Sequence, residues 1–255
     1  MKIQYVSDLH LEMQENAQWI KHNPLPVTGD VLVVAGDSGY VDSPDYRRLP
    51  FWQWASRHYR EVIVAMGNHE FYQFSDIAQF PDGMCEPILP NVHLCYNAVC
   101  AVDDVDFIVS TLWAHIDPAE AYITERGVSD FYRILRGGNR LCAEGFNAEH
   151  DRCVAFLKQA VSQSKARRKV VVTHHVPSRL CMAEEFRGSS INGAFVCEMG
   201  EFIATSDIDL WIYGHSHRNI DAEIGPCRLV SNQLGYVRSA EHLLCGFNPA
   251  KFVEL

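Results

Sequence analysis

The 255-residue sequence is short of basic charge, of long apolar runs and of paired cysteines. It carries 22 Lys and Arg against 32 Asp and Glu, a net charge of −10 with His neutral. A surface that acidic repels a phosphate backbone, whereas nucleic-acid binders carry a basic stripe. The densest basic run, KARRK at Lys165–Lys169, reads as the solvated end of a helix, where cations suit the dipole. No nucleic-acid partner is expected. No apolar run approaches the ~20 residues of a membrane span. MKIQYVSDLH at the start has one Lys and a very short apolar run before a polar turn, too little for a signal-peptide core. The expectation is a soluble cytoplasmic protein with no membrane partner. The nine cysteines include no CxxC pair, so the spacing offers no cysteine zinc site. They read as reduced, mostly buried thiols acting as small hydrophobes. Internal repeats, low-complexity tracts and linkers are also missing, so one domain over residues 1–255 is expected. The sequence sets no oligomeric state.

What is present is a core. Hydrophobic residues make up 47% of the chain, which belongs to a globular protein. The apolar runs are short and rich in β-branched residues: KIQYV, DVLVVA, EVIVA, VDFIVST, KVVVT and DLWIY. Runs of this kind, bounded by turn residues, mark strands buried on both faces. Helical segments lie between several of them. Asp45 to Tyr59 is one, with Pro50 blurring its start. A second begins near Asn147 as N-cap, with Val154, Leu157 and Val161 on one face. A third covers Phe195 to Thr205. Alternating strands and helices argue for α/β architecture. Phe74 to Gly145 is less regular and reads as loops capping a site. Asn219 to Val253 reads as short antiparallel strands.

The ends of the strands carry the chemistry. KIQYVS is followed by Asp8-Leu9-His10, DVLVVA by Gly36-Asp37, and EVIVAM by Gly67-Asn68-His69-Glu70. KVVVT is followed by His174-His175, and DLWIY by Gly214-His215-Ser216-His217. Each piece alone could be a turn. Together they place six of the twelve histidines at the strand edge where open α/β sheets bind ligands. Carboxylate, imidazole and amide oxygen without thiolate suit Mn, Fe, Zn or Co rather than Ca or Mg alone. Asp8, His10, Asp37, Asn68, His174, His215 and His217 exceed what one transition metal takes and suit two. Asp37 is the natural bridge, able to offer an oxygen to each ion. Two ions about 3.5–4 Å apart activate water and clamp a transferring oxyanion.

DxH, GD, GNHE, H and GHxH in this order resemble the calcineurin-like metallophosphoesterase superfamily. SDLHLE, GDVLVVAGD, GNHEFY, STLW, VVVTHHVPS and WIYGHSH are similar to its Icc-like predicted phosphoesterases. The resemblance implies a four-layer sandwich: two mixed β-sheets flanked by α-helices. It implies one metal on Asp8, His10, Asp37 and His217 and a second on Asp37, Asn68, His174 and His215, with Mn favoured. It makes His174, rather than His175, the ligand. His69 would act on the scissile phosphate or its leaving oxygen, with Glu70 orienting it from behind. Trp113, Arg133, Ser178 and Arg179 are candidates for lining the substrate pocket, with core filling as the alternative for Trp113 and a surface ion pair for Arg133. Relatives that read GDxxD contrast with GDSGYVD here, where Tyr40 replaces the acid. This argues against the protein Ser/Thr phosphatases. The expected activity is hydrolysis of a small or nucleotide-type phosphodiester. A small-molecule phosphomonoesterase and a catalytically silent scaffold of the same fold are the alternatives.

Overall fold

The computed structural model describes all 255 residues, Met1–Leu255. In chain order the first elements are β1 (Lys2–Val6), α1 (Gln14–His22), β2 (Val31–Ala35), α2 (Pro50–His58), β3 (Glu61–Ala65), β4 (Met84–Leu89), β5 (Val92–Tyr96), β6 (Ala98–Val102) and β7 (Val105–Ser110). There follow α3 (Ala121–Gly127), α4 (Asp130–Arg133), β8 (Leu135–Arg136), β9 (Asn139–Arg140), α5 (Ala143–Gln163) and β10 (Arg168–Thr173). The last are α6 (Gly200–Thr205), β11 (Leu210–Tyr213), β12 (Ala222–Ile224), β13 (Cys227–Ser231), α7 (Glu241–Leu244) and β14 (Phe252–Glu254).

Two six-stranded sheets run in the orders β14-β1-β2-β3-β5-β4 and β12-β13-β11-β10-β7-β6. In each, four parallel central strands are flanked by antiparallel edge strands. The side-chain period of two sorts every central strand between two cores. Val31, Val33 and Ala35 of β2 face the layer between the sheets, with Val170 and Val172 of β10 opposite. Leu32 and Val34 face the outer core packed by Trp52, Ala55 and Phe146. Val171 and Trp211 face a third core with Leu157 and Ile203. Strands buried on both faces read as unbroken apolar runs, which is why VLVVA was legible. The result is the expected sandwich of two mixed sheets with helices outside. No helix is long and apolar enough to cross a membrane.

Several expected boundaries shift. Pro50 opens α2 at its first turn, where its missing N–H costs nothing. Asn147 caps no helix: α5 starts four residues earlier, and the Asn147 amide pairs with both backbone groups of Ile116. Phe195 to Met199 precede α6 rather than belong to it, because Val196 bridges Val176. The segment 74–145 holds three further strands of the sheets, β4 to β6, besides β7. The antiparallel edge strands lack the buried apolar run: β6 alternates in burial, and β4 is largely exposed and contains Pro87 at a register shift. Near the C-terminus, β12 and β13 are antiparallel as expected, but β13 lies parallel to β11 and β14 joins the other sheet beside β1. KARRK spans the turn after α5 into β10, where Arg168 and Lys169 pair with Asp209 and Asp207.

Candidate active site

The carboxyl ends of β1, β2, β3, β10 and β11 lie along one edge, and all five strand-end motifs meet there. Asp8, His10, Asp37, His215 and His217 all have left-handed backbone, with φ between 46° and 77°. Such φ values are costly for residues with a Cβ and cluster at functional sites. Gly67 serves close approach rather than a left-handed turn: a Cβ there would sit 2.2 Å from Asp37 Oδ1 and 2.8 Å from His174 Cδ2.

Two buried groups face each other: Asp8 with His10 and His217, and Asp37 with His174 and His215. His10 Nε2 lies 3.1 Å from His217 Nε2, which is 3.3 Å from Asp8 Oδ1. His174 Nε2 lies 3.1 Å from His215 Nδ1, 3.0 Å from Asn68 Oδ1 and 3.2 Å from Asp37 Oδ1. Asp37 Oδ2 points the other way, 3.8 Å from His10 Nε2. One carboxylate thus presents an oxygen to each group.

The outer shell decides what these rings can do. His10 Nδ1 meets Glu12 Oε1 at 3.2 Å, and His217 Nδ1 meets Glu241 Oε2 at 2.6 Å. His174 Nδ1 donates to the Ala35 carbonyl at 2.9 Å, and His215 Nε2 to the Ala194 carbonyl at 3.2 Å. With each outer N–H so engaged, the inner nitrogen of the neutral ring carries a lone pair aimed into the cluster. Outer hydrogen bonds of this kind fix the tautomer of metal-ligating imidazoles. Two ring nitrogens 3.1 Å apart need a positive charge between them, a ring proton in the metal-free protein or a metal ion in its place. Asn68 obeys the same logic, its Nδ2 donating to Asp130 Oδ1 at 2.8 Å so that Oδ1 faces inward. The donor set therefore fits two divalent ions.

Charge runs the same way. Burial alone would discharge His174 and His217, but the Asp37 carboxylate holds His174 up to about 9, and Asp8 and Glu241 hold His217 up to about 10. Burial wins for His10 and His215, which fall below the ordinary imidazole value, helped by His69 in one case and by His175 and His174 in the other. Burial opposes ionisation of Asp8 and Asp37, yet the surrounding imidazoles pull both below the usual carboxylate range. A bound ion would displace the ring protons.

His69 stands beside this cluster. Its backbone N–H donates to Asp37 Oδ1 at 2.9 Å. Its Nδ1 meets Glu12 Oε1 at 2.9 Å and its Nε2 the Tyr236 hydroxyl at 3.2 Å. Tyr72 stacks on its ring at 4.2 Å. Burial would discharge it, but the Asp37 and Glu12 carboxylates raise its pKa.

The structure changes the reading of several candidates. Glu70 does not touch His69. Its carboxylate accepts from the backbone N–H groups of Asp37 and Gly67 on one oxygen and from Ser38 N–H, Ser38 Oγ and Gly39 N–H on the other. It ties the loops after β2 and β3 together, and burial beside Asp37 pushes it up to about 7. The partner of His69 is Glu12, which the SDLHLE stretch contains but whose role only the loop geometry reveals. His175 turns away from the cluster: Nδ1 donates to the Thr111 carbonyl at 3.2 Å, the ring packs on His215 at 4.1 Å, and burial and His174 push it down to about 3. Trp113 is core, fully buried between Phe71, Phe146 and His175. Ser178 and Arg179 line a different cavity of about 550 Å³ whose walls include no cluster residue, and both bind the Glu198 carboxylate. Arg133 is exposed and lies over the ring of Tyr72 at 5.3 Å, the same tyrosine that stacks on His69, and is in no surface ion pair. Asp130, Tyr236 and Glu241 were not legible. They stand outside the strand-end motifs and reach the site only through folding.

The calcineurin-like phosphoesterase family model matches residues 1–219. The chain belongs to that family. A relative from Acanthamoeba polyphaga mimivirus, an uncharacterized protein L509, is 25% identical over 280 residues, covering 99% of this chain and 96% of the relative. Among solved structures, the phosphopantetheinyl hydrolase PptH from Mycobacterium tuberculosis is similar in fold, with a TM-score of 0.71 at 16% identity over 99% of this chain and 95% of that one. The family implies a dinuclear divalent metal centre, and the convergent His, Asp and Asn donors are where such a centre fits.

Proposed function

We propose that the chain is a dinuclear-metal-dependent hydrolase of phosphate esters, a phosphodiesterase acting on a small or nucleotide-type substrate. The observation that carries this is the orientation of four buried imidazoles. Their outer N–H groups are engaged, and their inner lone pairs converge on two centres that share Asp37. Asp8, His10, Asp37 and His217 would hold one ion, and Asp37, Asn68, His174 and His215 the other, with Mn²⁺ favoured among Mn, Fe, Zn and Co. The ions would supply Lewis acidity and a water of lowered pKa.

The protein's own part falls to the groups around them. His69, whose pKa Asp37 and Glu12 raise against the effect of burial, donates to the leaving oxygen. Tyr72 stacks behind it and Tyr236 fixes its Nε2 side. Arg133, held over the Tyr72 ring, binds a phosphoryl oxygen. Arg218 is taken up by Glu185 and the His217 carbonyl. One free cation among the partly exposed rings of Tyr40 and Tyr236 suits a singly charged diester better than a doubly charged monoester. The likeness in fold to a phosphopantetheinyl hydrolase fits phosphate-ester chemistry on an organic substrate.

The test is a pair of rates, on bis-p-nitrophenyl phosphate and p-nitrophenyl phosphate, with Mn²⁺ returned to metal-stripped protein. Faster turnover of the diester is expected, and His69→Ala should lower it ~10²–10⁴-fold with two metals still bound. A preference for the monoester would replace the diesterase reading. Full activity in His69→Ala would refute the acid role, and two bound metals without turnover of any ester would favour a silent scaffold.

A further inference from the structure

Far along the first sheet, three cysteines that the phosphoesterase site does not use come together. Cys85 of β4 and Cys95 of β5 are directly opposite in the antiparallel ladder, so their side chains share a face. Cys100 lies on β6, the edge strand of the other sheet. The three Sγ atoms form a nearly equilateral triangle, with sides of 3.3 Å (Cys95–Cys100), 3.5 Å (Cys85–Cys100) and 3.6 Å (Cys85–Cys95). Cys95 is fully buried in the layer between the sheets, Cys100 packs against that layer, and Cys85 is exposed. The triangle closes one end of the inter-sheet core and opens to solvent on one side. None of the other six cysteines stands within hydrogen-bonding reach of a second sulfur.

We propose that Cys85, Cys95 and Cys100 form a second metal site, specific for a thiophilic d¹⁰ ion such as Zn²⁺. Three thiolates at about 2.3 Å from a tetrahedral Zn²⁺ stand about 3.8 Å apart, so the observed triangle needs only a few tenths of an ångström of opening. With three protein thiolates, solvent would be the fourth ligand. An all-sulfur set selects soft ions, whereas the nitrogen and oxygen donors at the strand ends suit Mn²⁺ and its neighbours. The two centres thus differ in chemistry as well as place. The bound ion would clamp the β4–β5 edge of one sheet to β6 of the other. A disulfide accounts for the arrangement less well, because it would use two of three equivalent thiols and leave the third beside it.

The full-length chain, reduced and metal-stripped, is loaded with Mn²⁺ and then titrated with Cd²⁺ while the ultraviolet sulfur-to-cadmium charge-transfer band is followed. The strand-end centre has no sulfur donor, so Cd²⁺ bound there gives no such band. A band saturating at one equivalent is expected. Cys85→Ser, at an exposed position where folding is not at risk, should weaken the site by at least ~10-fold, as should Cys100→Ser. Cys142→Ser, at an exposed cysteine elsewhere, should leave the band intact. The proposal is overturned if no thiolate band develops, if the band in Cys85→Ser keeps its intensity and affinity, or if thiol counting finds two of the three already joined as a disulfide.

Discussion

Gly67→Ala separates two opposed physical effects with one methyl group. Gly67 lies outside the left-handed region, where Gly→Ala ordinarily stabilises by about 0.4–1 kcal/mol through the unfolded chain. Here the added Cβ would be 2.2 Å from Asp37 Oδ1, 2.7 Å from Asp37 N and 2.8 Å from His174 Cδ2. Ordinary carbon contacts begin near about 3.5 Å, so the carboxylate must retreat by more than about 1 Å. It cannot do so freely, because Oδ1 accepts from the His69 N–H at 2.9 Å and the Asp37 N–H is held by Glu70. Overpacking of this kind costs about 1–3 kcal/mol, which exceeds the entropic gain. For a chain of this size that lowers the melting temperature by several degrees. Misplacing a shared ligand by about 1 Å should also reduce turnover by about 10²-fold. The assay is metal content after gel filtration, melting of the metal-stripped protein, and kcat/KM on the better ester. A variant that melts at or above wild type and retains two metals at full activity would refute the close-approach argument.

Further outcomes follow from the same geometry. Asp130→Ala removes the acceptor that aims the Asn68 amide and should weaken metal binding about 10–100-fold, measured by competition with a chelator. Asp130→Asn keeps an acceptor and should restore most of it. Glu12→Gln removes a carboxylate that raises the His69 pKa, so the protonated acid is lost at lower pH. The basic limb of the kcat profile should move to lower pH, and an unmoved limb would remove Glu12 from that role. Chelation should abolish turnover and lower the melting temperature, with Mn²⁺ restoring both. In metal-free protein, hydrogen bonds from the Cys95 and Cys100 thiols outweigh burial and hold Cys85 down to about 6, against about 8.5 for an ordinary thiol. Its reactive thiolate is therefore present above that pH. Iodoacetamide labelling of Cys85 should rise through about pH 6, and a midpoint near 8.5 would contradict the cluster.

The sequence by itself determined the strands that lead into the site and the edge on which the chemistry stands. VLVVA, EVIVA and KVVVT are buried on both faces, which demands unbroken apolar runs. The metal-donor residues follow those runs within one to four positions, where local order along the chain is nearly spatial order. GNHE and GHSH could be read for the same reason. Only the tertiary structure decided which side chains meet across loops. Glu12, not Glu70, reaches His69, because Glu70 is drawn under the β2 and β3 loops by backbone N–H groups that no pattern displays. Asp130 and Tyr236 come from segments 62 and 167 residues away in sequence, and nothing local marks them as partners. The thiol triangle shows the same limit. Cysteines at positions 85, 95 and 100 match no metal motif along the chain, yet strand pairing and the crossing from one sheet to the other bring the three sulfurs within 3.6 Å. Sequence patterns report burial and backbone conformation, which act over a few residues. A binding site is a meeting of distant residues, and it exists only after the sheets have packed.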